Sequence, residues 1–94
     1  MKDHPPIPPR SRGVFIFQNG HLRFRIGNVD WLVEDATGLE RLYISAVGAE
    51  LWDREYERLL GRWNSHRGRP GEFARISVAR RNADAWRDWG RKRR

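Results

Sequence analysis

Ninety-four residues, 38% of them hydrophobic and 33% charged, allow one small domain, and five Trp give a short chain enough apolar area per residue to bury a core. The absence of Cys excludes a disulfide scaffold and thiolate metal ligands, and no apolar run reaches membrane-spanning length, so the expectation is a cytoplasmic protein with no membrane partner. The net charge of +7 is unevenly placed: residues 1–53 carry six Lys/Arg against seven Asp/Glu, and residues 54–94 carry thirteen against five, which points to an acidic partner for the second half.

Residues 1–12 read as a Pro-rich flexible arm, with Pro5, Pro6, Pro8 and Pro9 followed by Arg10 and Arg12. The run Pro5-Pro6-Ile7-Pro8-Pro9-Arg10 fits a P-x-x-P-x-R pattern of the kind SH3 domains bind, against the simpler reading of an arm that is disordered or draped on the surface.

Residues 13–81 are expected to form a single α+β domain. Asn19-Gly20 suits a type I′ hairpin turn, and Gly27-Asn28 offers a second two-residue turn. Both turns demand one register. It places Phe15, Phe17, Leu22, Phe24, Ile26, Val29, Trp31 and Val33 on one face, and sets Arg25 opposite Asp30 and His21 opposite Glu34 on the other. After a turn at residues 35–38, the alternation of Leu42, Ile44 and Ala46 predicts a fourth strand over 41–46, ended by Gly48. Trp52, Tyr56, Leu59, Leu60 and Trp63 then repeat at helical spacing, predicting one amphipathic helix over 50–65. A Gly/Pro-rich loop at 67–71 leads to a second alternating run, Ala74, Ile76 and Val78, read as a fifth strand over 73–79. Asn82 is a suitable N-cap for a short basic helix or tail over 82–94. The expected fold is an antiparallel β-meander of four to five strands, one face covered by the amphipathic helix, with a short C-terminal helix.

No catalytic constellation, cofactor motif or metal-ligand spacing is present. His4, His21 and His66 are far apart, no Ser lies in a nucleophile elbow, and neither a Walker loop nor a G-x-G-x-x-G run occurs. His66 is expected to follow the helix end, where a cation is favoured. The chain is therefore not expected to be an enzyme.

The candidate binding residues are basic and aromatic. Arg54, Arg58 and Arg62 form an outward stripe at i, i+4 and i+8, partly offset by Glu50 and Glu55, while Arg62 has no acid at i−4 or i−3. Arg67 and Arg69 follow in the loop, Arg80 and Arg81 before the last helix, and Arg87, Arg91 and Arg94 along it. Trp86 and Trp89 either anchor that helix to the body or serve as a hot spot for a partner. The basic residues are almost all Arg, which suits bidentate contacts to phosphate but equally follows from codon usage in a GC-rich genome. The expected function is a non-enzymatic binding module that docks through this Arg-rich surface on nucleic acid or a nucleoprotein. The alternative is a small inhibitor or adaptor of the phage anti-defence type, an anti-CRISPR protein for example, held by an acidic surface of a larger protein machine.

Overall fold

The computed structural model describes residues 4–65 and 69–92. Its elements run β1 (Phe15–Gln18), β2 (His21–Ile26), β3 (Val29–Leu32), a 3-10 turn (Val33–Asp35), α1 (Gly38–Asn64) and α2 (Glu72–Arg91). The fold is α+β: one antiparallel sheet of order β1-β2-β3 on a long antiparallel helical hairpin.

Local turn chemistry sets the sheet. Asn19 and Gly20 both have positive φ, +55° and +79°, as a type I′ turn requires, and Gly27 opens the second turn at +57°. The register pairs Phe15 with Phe24, Phe17 with Leu22, Phe24 with Trp31 and Arg25 with Asp30, as both turns demand. The ladder stops at Leu32, where the chain winds into the 3-10 turn. Val33 is nevertheless fully buried, and His21 Nδ1 meets Glu34 Oε1 across the polar face.

Three strands replace the expected four to five, because residues 41–46 and 73–79 are helical. On α1 the buried positions are Arg41, Ile44, Ser45, Gly48, Ala49, Trp52 and Leu59, a helical stripe that overrides the alternation of Leu42, Ile44 and Ala46. Leu42 is exposed, and so is Ala46. On α2 the buried seam is Ile76, Ala79, Ala83, Trp86, Trp89 and Gly90; Ala74 and Val78 face outward. Asn82 is therefore mid-helix rather than an N-cap, and Gly48 lies inside a helix rather than ending a strand. The helix expected over 50–65 begins at Gly38, and the last helix begins at Glu72 instead of 82. The expected position of His66 lies outside the described residues.

Small residues let the two helices meet closely. A Cβ on Gly48 would sit 2.6 Å from Cδ2 of Trp86, and one on Gly90 would collide with Ser45 Oγ. Arg41 is buried at this end, its guanidinium 3.8 Å from the Trp89 ring centroid and its Nε donating to the Trp89 carbonyl at 2.8 Å. The sheet packs on the same half of the hairpin. Phe15 meets Trp86 at 5.2 Å between centroids, while Phe24 and Trp31 meet Tyr43 at 5.7 and 6.1 Å.

The N-terminal arm lies on the core instead of standing apart from it. The Pro6 carbonyl accepts from Trp52 Nε1 at 3.0 Å and from Trp86 Nε1 at 2.8 Å. Pro8 is buried, Ile7 packs against the core, and Arg10 pairs with Glu55 at 3.7 Å. One carbonyl with two lone pairs thus satisfies two indole N–H groups that would otherwise be buried without acceptors. An SH3-type partner would have to peel this arm away.

Gly48→Ala is expected to cost about 1–3 kcal/mol by overpacking against Trp86. Gly61→Ala, on the same helix with nothing within 4 Å of the new Cβ, is expected to gain about 0.5–1 kcal/mol. Urea denaturation of the pair checks the sign, and a matching gain in both variants would remove the close crossing. Deleting residues 1–8 is expected to lower stability by at least about 2 kcal/mol, since two indole donors lose their acceptor at about 1–3 kcal/mol each. An unchanged denaturation midpoint would show the arm contributes nothing.

Candidate functional site

The sheet and arm meet the helical hairpin through Tyr43, Trp52 and Glu55 of α1 and Trp86 of α2, leaving residues 56–64 of α1 beyond these contacts. The far end consists of the C-terminal part of α1, the connection and the N-terminal part of α2. There Leu59 and Ile76 are buried apart from the main core cluster. Residues 58–81 of this far end contain seven Arg and one Asp or Glu, Glu72, a net of +6. Most of the excess charge of the second half is therefore carried at the hairpin tip.

Ion pairing divides the expected arginines into two groups. Arg54 pairs with Glu50 at 3.0 Å, both exposed, and Arg58 grips Glu55 with two bonds at 3.0 and 2.7 Å. Arg62, without an acid on its own helix, reaches Glu72 of α2 at 3.0 Å. Arg80 lies 3.9 Å from Asp84 and 5.8 Å from the Tyr56 ring centroid. Arg87 joins the helices by pairing with Asp53 while also contacting Asp84 at 3.3 Å, and Arg91 lies 3.6 Å from Asp88. Arg69 and Arg81 are exposed and make no ion pair with a described residue, and the same holds for Arg75, which the sequence reading did not single out. Arg67 and Arg94 lie outside the described residues.

Trp86 and Trp89 leave the candidate list on physical grounds. They are 0% and 4% exposed, packed edge to face with centroids 5.4 Å apart, so they present no surface to a partner. Phe15 and Phe24 are likewise core.

Two concave features flank the tip. A cleft of about 580 Å³ is lined by Arg62, Arg69, Gly71, Glu72 and Arg75, three guanidiniums around one carboxylate. A second groove of about 450 Å³ runs along Tyr56, Leu60, Trp63, Phe73 and Ile76 and is bordered by Arg80 and Arg81. Trp63 is 37% exposed and Phe73 59%, their ring centroids 5.7 Å apart. Helical spacing with Trp52, Tyr56 and Leu59 places Trp63 on the core face of α1. Trp63 is exposed because the tip reaches past the sheet that would cover it. These two aromatics straddle the Arg/Gly/Pro-rich connection in the sequence, and that placement is the signal that could have marked them.

The polar face of the sheet is neutralised. Asp30 accepts from Arg23 at 3.0 Å and from Arg25 at 3.1 Å, and the Arg23 bond foremost holds its carboxyl below the usual range. Among the described residues no group of three or more His, Asp or Glu side chains is arranged to hold a metal ion, and no helix is long and apolar enough to cross a membrane. Comparisons with protein-family models, with curated proteins and with solved structures find no match to the chain.

Glu55 generates a pH prediction. The Arg58 guanidinium, with further help from Arg10 and Arg75, holds its carboxyl below the ordinary glutamate value of 4.5. A depressed carboxylate contributes stability above its unfolded pKa, and that contribution is lost as pH falls through the folded pKa. Glu55→Gln is therefore expected to be less stable than the wild type at neutral pH, with the gap closing below about pH 4.5. Denaturation curves from neutral to acid pH check it, and a gap that does not narrow as pH falls below about 4.5 would contradict the assignment.

Proposed function

We propose that the chain is a non-enzymatic docking module that binds nucleic acid, alone or within a nucleoprotein, through the tip of its helical hairpin. The observation that carries this reading is the concentration of arginine there: seven Arg against one Glu over residues 58–81. Carboxylates offset some of these cations, but Arg69, Arg75 and Arg81 remain without ion pairs to described residues. A guanidinium offers a planar fork of donors matched to phosphate oxygens, so unpaired arginines at an exposed end favour a polyphosphate partner. Elsewhere Arg23, Arg25, Arg54 and Arg91 each face an acid close by, while Arg12 and Lys92, like the three tip arginines, make no ion pair with a described residue.

Charge reversal at the unpaired positions tests the reading without removing a partner from an existing ion pair. Arg69→Glu with Arg81→Glu is expected to change stability by less than about 0.5 kcal/mol and to weaken nucleic-acid binding by at least tenfold, about 1.4 kcal/mol. Arg58 and Arg62 are poor test positions, because a carboxylate there would face Glu55 or Glu72. The logarithm of wild-type affinity should also fall linearly with the logarithm of salt concentration, by about 0.9 per phosphate contacted on duplex DNA. A double variant that folds and binds nucleic acid at wild-type strength would overturn the proposal. Failure of the wild-type chain to bind nucleic acid at low salt would overturn it too, leaving the inhibitor or adaptor reading to be tried.

A further inference from the structure

Accepting nucleic acid as the partner, we infer that the groove between α1 and α2 at the tip takes unpaired bases, making the preferred ligand a single strand. Arginines alone would track any phosphate backbone, duplex or single. The groove adds aromatic rings, which a duplex does not need, because its bases are already stacked inside it. Phe73 and Trp63 are 59% and 37% exposed with their rings tilted against each other, and Tyr56 and Leu60 line the same groove. Successive bases stack on such platforms with little regard to sequence, since every base has a π face.

The charges around the groove suit the same ligand. Arg80 and Arg81 line one side, on α2, and Arg81 has no described acid to pair with. Asp84 is the one acid lining the groove, and it is engaged by Arg80 and Arg87. A strand laid along the groove would therefore place bases on Phe73 and Trp63 with phosphates within reach of Arg80 and Arg81. An amphipathic protein helix would also find apolar area here, but an unpaired guanidinium at the rim, on a tip of net +6, favours an anionic backbone.

The Trp63–Phe73 contact has a simpler use as the apolar cap of the hairpin end, and the test must separate the two. Binding of the full chain to an oligothymidylate of about 12 nucleotides and to a duplex of equal length is measured at low salt. The wild type is expected to bind the single strand more tightly. Phe73→Leu keeps apolar area but removes the ring. It is expected to weaken single-strand binding about tenfold, with duplex affinity and the salt slope unchanged. Phe73→Tyr should restore binding. Equal affinity for the two ligands, or a Phe73→Leu variant that folds and binds the single strand as the wild type does, would overturn the groove while arginine-dependent binding stands. Binding to neither ligand would overturn the nucleic-acid reading itself and this inference with it.

Discussion

The structure depends on how closely α1 and α2 approach at Gly48 and Trp86. A Trp indole can lie against backbone only where the facing residue has no Cβ, and Gly48 supplies that gap at the centre of a 27-residue helix. With the indole seated there, its ring also meets Phe15 of β1, and its Nε1 donates to Pro6 in the arm. One side chain therefore touches both helices, the sheet and the N-terminal segment. Gly90 against Ser45 and Arg41 against Trp89 extend the same close seam toward the end of α2.

This arrangement divides the hairpin by composition. Where the sheet and arm cover it, the seam is small residues and Trp, and the outer charges are mostly paired. Beyond Glu55 no such cover is described, the buried residues over 58–81 are Leu59, Ile76 and Ala79 among those described, and cations outnumber acids. On the proposed reading, docking would fall at the tip of the helical hairpin, away from the Gly48–Trp86 contact.

The first three strands are legible in the sequence because their determinants are local: two short turns with the right residues, alternation between them, and complementary charges across the strands; the fourth and fifth strands that the alternation predicts are helix. The helices were only partly legible because their packing stripe carries little hydrophobic signal. Counting back from Trp52 at helical spacing gives Gly48, Ser45, Ile44 and Arg41, of which only Ile44 is a large apolar residue. Likewise α2 is lined by Ala79, Ala83 and Gly90, while the eye is drawn to Ala74, Ile76 and Val78. Period two and period 3.6 are hard to separate over so few residues, and β-branched Ile and Val tilt the reading toward strand. The arm's contacts are not legible in the sequence, because Pro removes donors but leaves carbonyls, and Pro6 is used as an acceptor. At the site, the charge excess was visible, but the neutralising pairs Arg62–Glu72 and Arg87–Asp53 are tertiary and follow no fixed spacing. The exposure of Trp63 and Phe73 depends on where the sheet stops, which no local pattern records.

The central claim is that the fold is held at the Trp86 end and the partner is met at the other. Mapping amide chemical shifts while a short single-stranded oligonucleotide is titrated into the protein tests it most directly. The account predicts shifts confined to the C-terminal turns of α1, the connection and the N-terminal half of α2, with the indole resonances of Trp86 and Trp52 unmoved. Shifts centred on the sheet or the arm, with the hairpin tip silent, would contradict it.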